Sequence, residues 1–388
     1  MTDRPTVPLW RRIDWLLVLS AAGLLAYGVL FVRSACAVRT GAVQLLWLKM
    51  LTRWIPLGIA AHVAIAASDW RKWVDFSAVP WVFAVALLGL VLVPGLGSTS
   101  NMGARRWLFG FFQPAEAAKI AVVPAVAFVL SKLSMRDGPA KLFLAFFAAA
   151  VPGVLVLLEP DLGTAITFAA AALAMAFVSG VAPRTLAALV AAGLLAVSVF
   201  LGAILLPEKL PPEKREKVER VVDKFVFGHW KNRILVFVHP ERDPLGAGWN
   251  RRQSEIAVGS GGERGKGYGR GTQNALGYLP ASVSSSDFVF SVIAEETGFA
   301  GCALLMALFS VLLWRVVWTG LACRDEAGRL ACTGVAAILF VHVFVNVGMT
   351  IGLVPVTGIP LPLVSYGGSF TISTLALLGL VHSVRLGR

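Results

Sequence analysis

The chain has 388 residues, of which 57% are hydrophobic and only 15% charged, with a formal net charge of +13. Its mean hydropathy of +0.75 excludes a soluble globular domain, in which about a quarter of residues are charged. Solid apolar blocks of about 18 residues or more, each able to cross a roughly 30 Å hydrocarbon layer, also exclude a β-barrel, whose strands alternate over about ten residues.

Ten spans are read in chain order: 14–32, 43–66, 78–94, 114–132, 140–158, 162–181, 185–206, 287–314, 330–352 and 364–384. The expected fold is an all-α polytopic membrane protein, because each span must satisfy its own backbone. Residues 1–388 form one integral membrane domain. The first span follows Arg11 and Arg12 and precedes Ala35–Ala37, yet it is longer than a signal h-region of about 7–15 residues. It reads as a span, not a cleaved signal.

Lysine and arginine in the short loops set the orientation. One side collects Arg4, Arg11, Arg12, Arg71, Lys72, Lys132, Arg136, Lys141, Arg184, Arg315, Arg324, Arg329, Arg385 and Arg388, and the other only Arg33, Arg39, Arg105 and Arg106. Both termini are therefore expected in the cytoplasm. The basic excess is mainly a topology signal, and nucleic acid is not an expected partner. Residues 207–286 form one large extracytoplasmic loop with 14 Lys/Arg against 9 Asp/Glu. Within it, Val218, Val221, Val222, Phe225 and Val226 recur at helical spacing, the pattern of an amphipathic helix lying in the interface.

The later segment "GSGGERGKGYGRG" (259–271) fails both glycine-rich nucleotide patterns. Ser260 stands where a P-loop needs glycine, Gly267 follows the lysine, and no G-x-G-x-x-G register fits. It reads as a surface turn or as a basic loop whose backbone N–H groups approach an anion. Cys36, Cys302, Cys323 and Cys332 show no C-x-x-C spacing, and the five histidines form no H-x-x-x-H pair, so neither a disulfide framework nor a zinc site is indicated. No internal repeat is evident, which speaks against an inverted-repeat transporter.

Ionisable groups inside spans are functional candidates by default. Lys49 and Arg53 share a helix face, as do Glu116 and Lys119 in "FFQPAEAAKI", with the acid N-terminal in the favourable order. Arg105 and Arg106 stand just before, where paired arginines suit a phosphate. Glu159 and Asp161 in "LLEPDLGTA" either cap the next helix or ligate a metal or hydroxyl. Asn346 and Ser365 lie in a proline- and glycine-rich stretch able to line a cavity. Asp287 stands at the mouth of the eighth span. Glu295 lies eight helical residues further on, about 12 Å, so the two share no proton; Glu295 or Glu296 is expected to pair with Arg53 or Lys49.

The blocks "GARRW…QPAEAAK", "EPDLGTA", "QSEIAVGSGGERGKGYGRGTQ", "DFVFSVIAEETGFAG" and "NVGMTIGLVPVTGIPLPLVSYGGS" resemble, in order and across nearly the whole chain, the SEDS family (shape, elongation, division and sporulation) of RodA, FtsW and SpoVE. Gly271, Thr272 and Gln273 and the short ends are nearer the RodA branch. The resemblance implies a peptidoglycan glycosyltransferase of cell elongation, polymerising lipid II in the bacterial cytoplasmic (inner) membrane, with its site on the extracytoplasmic side and a class B penicillin-binding protein as partner. It implies Asp287 as the family's outer-loop aspartate, and Glu116 and Lys119 as the acid and base lining the central cavity.

On that reading Asp287 is the general base. Candidate substrate contacts are Arg105, Arg106, Lys49, Arg53, Glu159, Asp161, Asn346 and Ser365, with Ser260, Gly261, Gly262, Lys266 and Gln273 from the loop. Positive charge for the leaving pyrophosphate comes from Lys119, Arg105, Arg106 or a divalent cation (Mg2+ or Mn2+), for which no ligand cluster is specified. Ala115, Ala281 and Phe370 depart from the family pattern, as does the lengthened "PASVSSSD". A flippase for lipid-linked precursor and a non-catalytic scaffold for the penicillin-binding protein are the alternative readings.

Overall fold

The computed structural model describes residues 12–37, 41–99, 105–132, 139–211, 228–244 and 246–387, with 215, 218, 220 and 222 as isolated positions. Each apolar block folds as a helix: α1 (Trp15–Cys36), α2 (Leu46–Ala67), α3 (Ala78–Leu92), α4 (Pro114–Ser131), α5 (Pro139–Leu158), α6 (Leu162–Val178) and α7 (Pro183–Leu205). Helices α8 (Gly228–Val238) and α9 (Ala247–Ser260) belong to the long loop. The last three are α10 (Val289–Ala322), α11 (Glu326–Thr350) and α12 (Gly368–Leu386). Among the described residues, 8 helices are long and apolar enough to cross a membrane. Helices α3 and α6, with 15 and 17 residues, fall short on length, so the structure does not fix the count at ten. A small antiparallel hairpin, β1 (Gly97–Thr99) with β2 (Arg105–Leu108), occupies what the sequence reads as plain loop.

Helices α4, α11 and α12 form the interior, with α11 packed on α4, α6, α10 and α12. Helix α4 can be central because Ala115, Ala118, Ala121, Ala125 and Ala127 are all buried, and small residues let neighbouring backbones approach. Helix α7 does the opposite. It is exposed along nearly its whole length and is buried only at Leu186 and Ile204, as suits a helix solvated by lipid. A cavity of about 540 Å³, lined by Lys141, Phe143, Phe146, Thr185 and Leu189 among others, contains none of the candidate residues. Of the amphipathic stretch, Val218 and Val222 pack with Ile204 and Leu157; Val221, Phe225 and Val226 lie outside the described residues.

Helix α10 is broken at Gly298, whose φ of 65° and ψ of −161° are not helical. The break strips partners from the carbonyls before it and the amides after it, and buried backbone groups need partners. The glycine-rich loop supplies them. Lys266 N and Gly267 N donate to the carbonyls of Glu295 and Glu296 at 3.0 and 2.9 Å, while Phe299 N and Ala300 N donate to the carbonyls of Gly262 and Glu263 at 2.8 and 3.1 Å. A Cβ on Gly298 would sit 2.4 Å from Gly265 N, and the left-handed φ alone costs an L-residue about 1–2 kcal/mol. Gly298→Ala is therefore expected to lower the thermal midpoint in detergent by at least that equivalent and to expose residues 261–267 to protease.

Candidate functional site

Asp161, Asp287, Asn346 and Ser365 come together where α6, α10 and α11 meet the 355–366 segment, at the end of the bundle that carries the long loop. Asp287 lies two residues before α10 and is partly exposed. Its main chain is held in place. Asn346 Nδ2 donates to the carbonyl of Asp287 at 2.8 Å and to that of Ile359 at 2.7 Å. Ser365 Oγ donates to Ser286 O at 2.5 Å and accepts from Leu361 N at 2.8 Å, and Tyr366 N donates to Ser285 O at 2.9 Å.

Residues 355–361 have no regular secondary structure and form a strap across this point. Gly358, with φ +76°, approaches so closely that a Cβ there would lie 3.3 Å from Asp287 Oδ2. Gly163 at the start of α6 makes room in the same way for Ile359, whose side chain would meet a Cβ at 2.1 Å. Burial pushes the Asp287 carboxyl up to about 6, against the pull of its Ser286 hydrogen bond and the charges of Arg106 and Arg233.

Those two arginines are the cations of the site. Arg106 donates to the carbonyl of Glu159 at 3.1 Å and to that of Pro160. Arg233, from α8, donates to Thr357 O at 2.9 Å and lies within the fields of Arg106, Asp161 and Asp287. The side chain of Arg105 lies outside the described residues. Asp161 is an N-cap: its carboxylate accepts from Thr164 N and Thr164 Oγ1, both at 3.1 Å, and from Gln113 Nε2 at 3.2 Å.

Glu159 is the misfit. It is buried, and neither carboxyl oxygen has a hydrogen-bond partner. Burial first and Asp161 second push it up to about 9, with Arg106 opposing, so the carboxyl is neutral at pH 7. Because the folded value lies above the ordinary 4.5, the stability linked to it is complete below pH 4.5 and is lost as pH rises towards 9. Thermal melts across that window are expected to show the wild type losing ground at alkaline pH and Glu159→Gln largely levelling the curve.

Glu116 and Lys119 are together but not open. Lys119 is 1% exposed and Glu116 4%. The ammonium donates to Glu116 Oε1 at 2.8 Å and lies 3.0 Å from His342 Nε2; Ser373 Oγ donates to the other Glu116 oxygen. The pair sits inside the packed bundle, where the sequence reading has it lining the cavity, because His342, Ser373 and the ring of Phe370, 4.8 Å from Nζ, close over it.

The two later glutamates also differ from expectation. Glu295 Oε1 accepts from Lys266 Nζ at 2.7 Å, Thr272 Oγ1 at 2.8 Å and Gln273 N at 3.1 Å. Glu296 accepts from Ser34 Oγ at 2.5 Å and Gly269 N at 3.0 Å. The partners are residues of the 266–273 loop and Ser34 of α1, and not Lys49 or Arg53. Lys49 is half-buried and Arg53 exposed, and neither makes an ion pair among the described residues. The basic loop does present N–H groups to an anion, but the anion is the chain's own carboxylate.

The other loop candidates serve the chain's own turns and packing. Ser260 Oγ donates back to Ala257 O at 3.0 Å. Gly261 allows α9 against α10, since a Cβ there would stand 1.9 Å from Ala294 O. Gly262 carries a positive φ of 57° with open space beside it. Arg233, Gln113 and His342 were not singled out from the sequence. Arg233 is one of 14 loop cations with nothing local to mark it. His342 lies four residues before Asn346, a spacing that puts both on one helix face. No cluster of three or more His, Cys, Asp or Glu able to hold a metal occurs among the described residues.

Fold and site together define a polytopic helical membrane protein with a carboxylate lying in the fields of two arginines at one end of the bundle. The chain belongs to the FtsW/RodA/SpoVE family of cell cycle proteins, whose family model matches residues 14–387. It is 36% identical to peptidoglycan glycosyltransferase MrdB of Escherichia coli strain K12, over 100% of this chain and 98% of that protein. Among solved structures it is similar to one of a peptidoglycan synthase complex that coordinates polymerization and crosslinking, with a TM-score of 0.74 and 31% identity over 96% of this chain and 97% of that one. It is also similar to the rod shape determining protein RodA of Thermus thermophilus, with a TM-score of 0.66 and 29% identity over 97% and 98% of the two chains.

Proposed function

We propose that this chain is a peptidoglycan glycosyltransferase that polymerises lipid II during cell elongation, with Asp287 as its general base. The observation that carries this reading is the placement of the Asp287 carboxyl, fixed through its own carbonyl by Asn346, pushed up to about 6 by burial and lying within the fields of Arg106 and Arg233. Glycan extension requires the 4-hydroxyl of an acceptor sugar to attack the anomeric carbon of the donor. A sugar hydroxyl is a very weak acid, so a carboxylate in hydrogen-bond reach takes its proton as the new C–O bond forms. The bond from the anomeric carbon to the phosphate oxygen breaks, and undecaprenyl pyrophosphate leaves with its electron pair.

Arg106 and Arg233 supply the positive charge that stabilises this leaving group, as preorganised cations do where charge develops. Their guanidiniums are oriented in advance by main-chain carbonyls. Lys119 is tied to Glu116 and serves the site indirectly. No cluster of three His, Cys, Asp or Glu side chains that would hold a divalent cation occurs among the described residues. Lysine and arginine distribution supports cytoplasmic termini in a bacterial inner membrane and an extracytoplasmic site. Membership of the family supports a class B penicillin-binding protein as the crosslinking partner.

A flippase would use the same charges to carry the lipid-linked precursor across the membrane. Purified protein in vesicles, given labelled lipid II on one face, separates the two activities. Glycan polymer is the expected product; translocated lipid II without polymer would rule the polymerase reading out.

A further inference from the structure

Residues 355–361 lie outside helix and sheet, so the strap beside Asp287 keeps its place only through partners for its polar groups. Three consecutive anchor points are carbonyls. Thr357 O accepts from Arg233 at 2.9 Å, Ile359 O from Asn346 at 2.7 Å, and Pro360 O lies 3.3 Å from His342 Nδ1. His342 and Asn346 are one turn apart on α11 and both buried, so a single helix face grips two adjacent residues of the strap.

The state of the imidazole follows from its neighbours. An ammonium donates and cannot accept, so the 3.0 Å contact with Lys119 Nζ makes Nε2 the acceptor. The one ring proton then sits on Nδ1, where it is donated to Pro360 O. We infer that His342 is a positioning residue for glycosyl transfer. It couples the buried Glu116–Lys119 pair to the strap and, with Asn346, holds Gly358 and Asp287 in register. The ring does not touch substrate. This inference rests on Asp287 being the base, and it gives Lys119 a route to the chemistry that its burial otherwise denies.

Two substitutions test it in the lipid II polymerisation assay. His342→Gln retains an acceptor for Lys119 and a donor for Pro360, whereas His342→Met keeps bulk without the donor. His342→Met is expected to lower kcat by about 10–100-fold, the scale of a misplacement of about 1 Å, with KM essentially unchanged. His342→Gln is expected to restore most of that loss. Equal behaviour of the two variants, or a loss confined to KM, would overturn the inference. Nitrogen-15 NMR of histidine-labelled wild-type protein gives a second reading that needs no variant to fold well: a neutral ring protonated on Nδ1 is expected, and a ring protonated on Nε2 would overturn the proposal. Asp287→Asn assayed in parallel separates the two claims. Activity retained there removes the base itself, whereas full activity in His342→Met beside an inactive Asp287→Asn removes only the role of His342.

Discussion

Asp287→Asn is expected to cut the rate of glycan formation by about 10²–10⁴-fold, the usual contribution of a general base, while leaving the fold intact. The structure separates those two effects. The contact that anchors residue 287 is made by its main-chain carbonyl to Asn346, which asparagine preserves. What the substitution removes is a carboxylate that burial holds at about 6, high enough to accept a proton readily yet ionised at neutral pH. An amide of the same shape accepts the Ser286 hydrogen bond but takes no proton from a sugar. Equal thermal midpoints with lost polymerisation are the expected pair of results. A loss of both would mark Asp287 as structural.

The second large effect is on stability. Lys119→Met leaves the Glu116 carboxylate inside the bundle with Ser373 as its remaining partner. Breaking a buried ion pair by removing one member costs about 3–5 kcal/mol, whereas replacing both members is often neutral. Lys119→Met is therefore expected to reduce the folded yield sharply and to lower the melting transition in detergent. The double variant Glu116→Gln/Lys119→Met is expected to recover much of the loss, read as a coupling in a double-mutant cycle. Its polymerisation should stay low even when folded, because His342 has lost the donor that fixes its tautomer. A Lys119→Met protein as stable as the wild type would contradict the buried-pair account.

Much of this was legible in the residues. The apolar blocks located the helices to within a few positions except at the end of α10, which runs on to Ala322 past the expected 314, and the five motifs in order pointed to the family that the comparisons show. Asp161 as an N-cap could be read from its place just before a helix, and Glu116 with Lys119 from their spacing. What the pattern hid was the break in α10. "AEETGFAG" reads as continuous helix, so nothing local indicates that the backbone there needs partners from residues 262–267 upstream. With the break unseen, the glycine-rich loop had no evident purpose and Lys266 looked available for a ligand. On the sequence alone, the span cations Lys49 and Arg53 are the expected partners of Glu295 or Glu296.

The histidines illustrate a different failure. They carry no metal-ligand spacing, and the one local sign at His342 is its distance of a helical turn from Asn346. Its meaning depends on Lys119, remote along the chain and brought near by packing of α4 against α11, and on Pro360, which the irregular strap after α11 returns to the ring. Arg233 is hidden for the same reason, since Thr357 and Asp287 approach it only in the folded protein.

The pH dependence of single-turnover glycan formation tests the central claim most directly. With Asp287 as the base, the rate must fall as the carboxylate is protonated, so a rising limb is expected as pH increases through about 6, with the small residual rate of Asp287→Asn flat across that range. The same limb persisting in Asp287→Asn, or a wild-type rate that does not change between pH values well below and above 6, would contradict it.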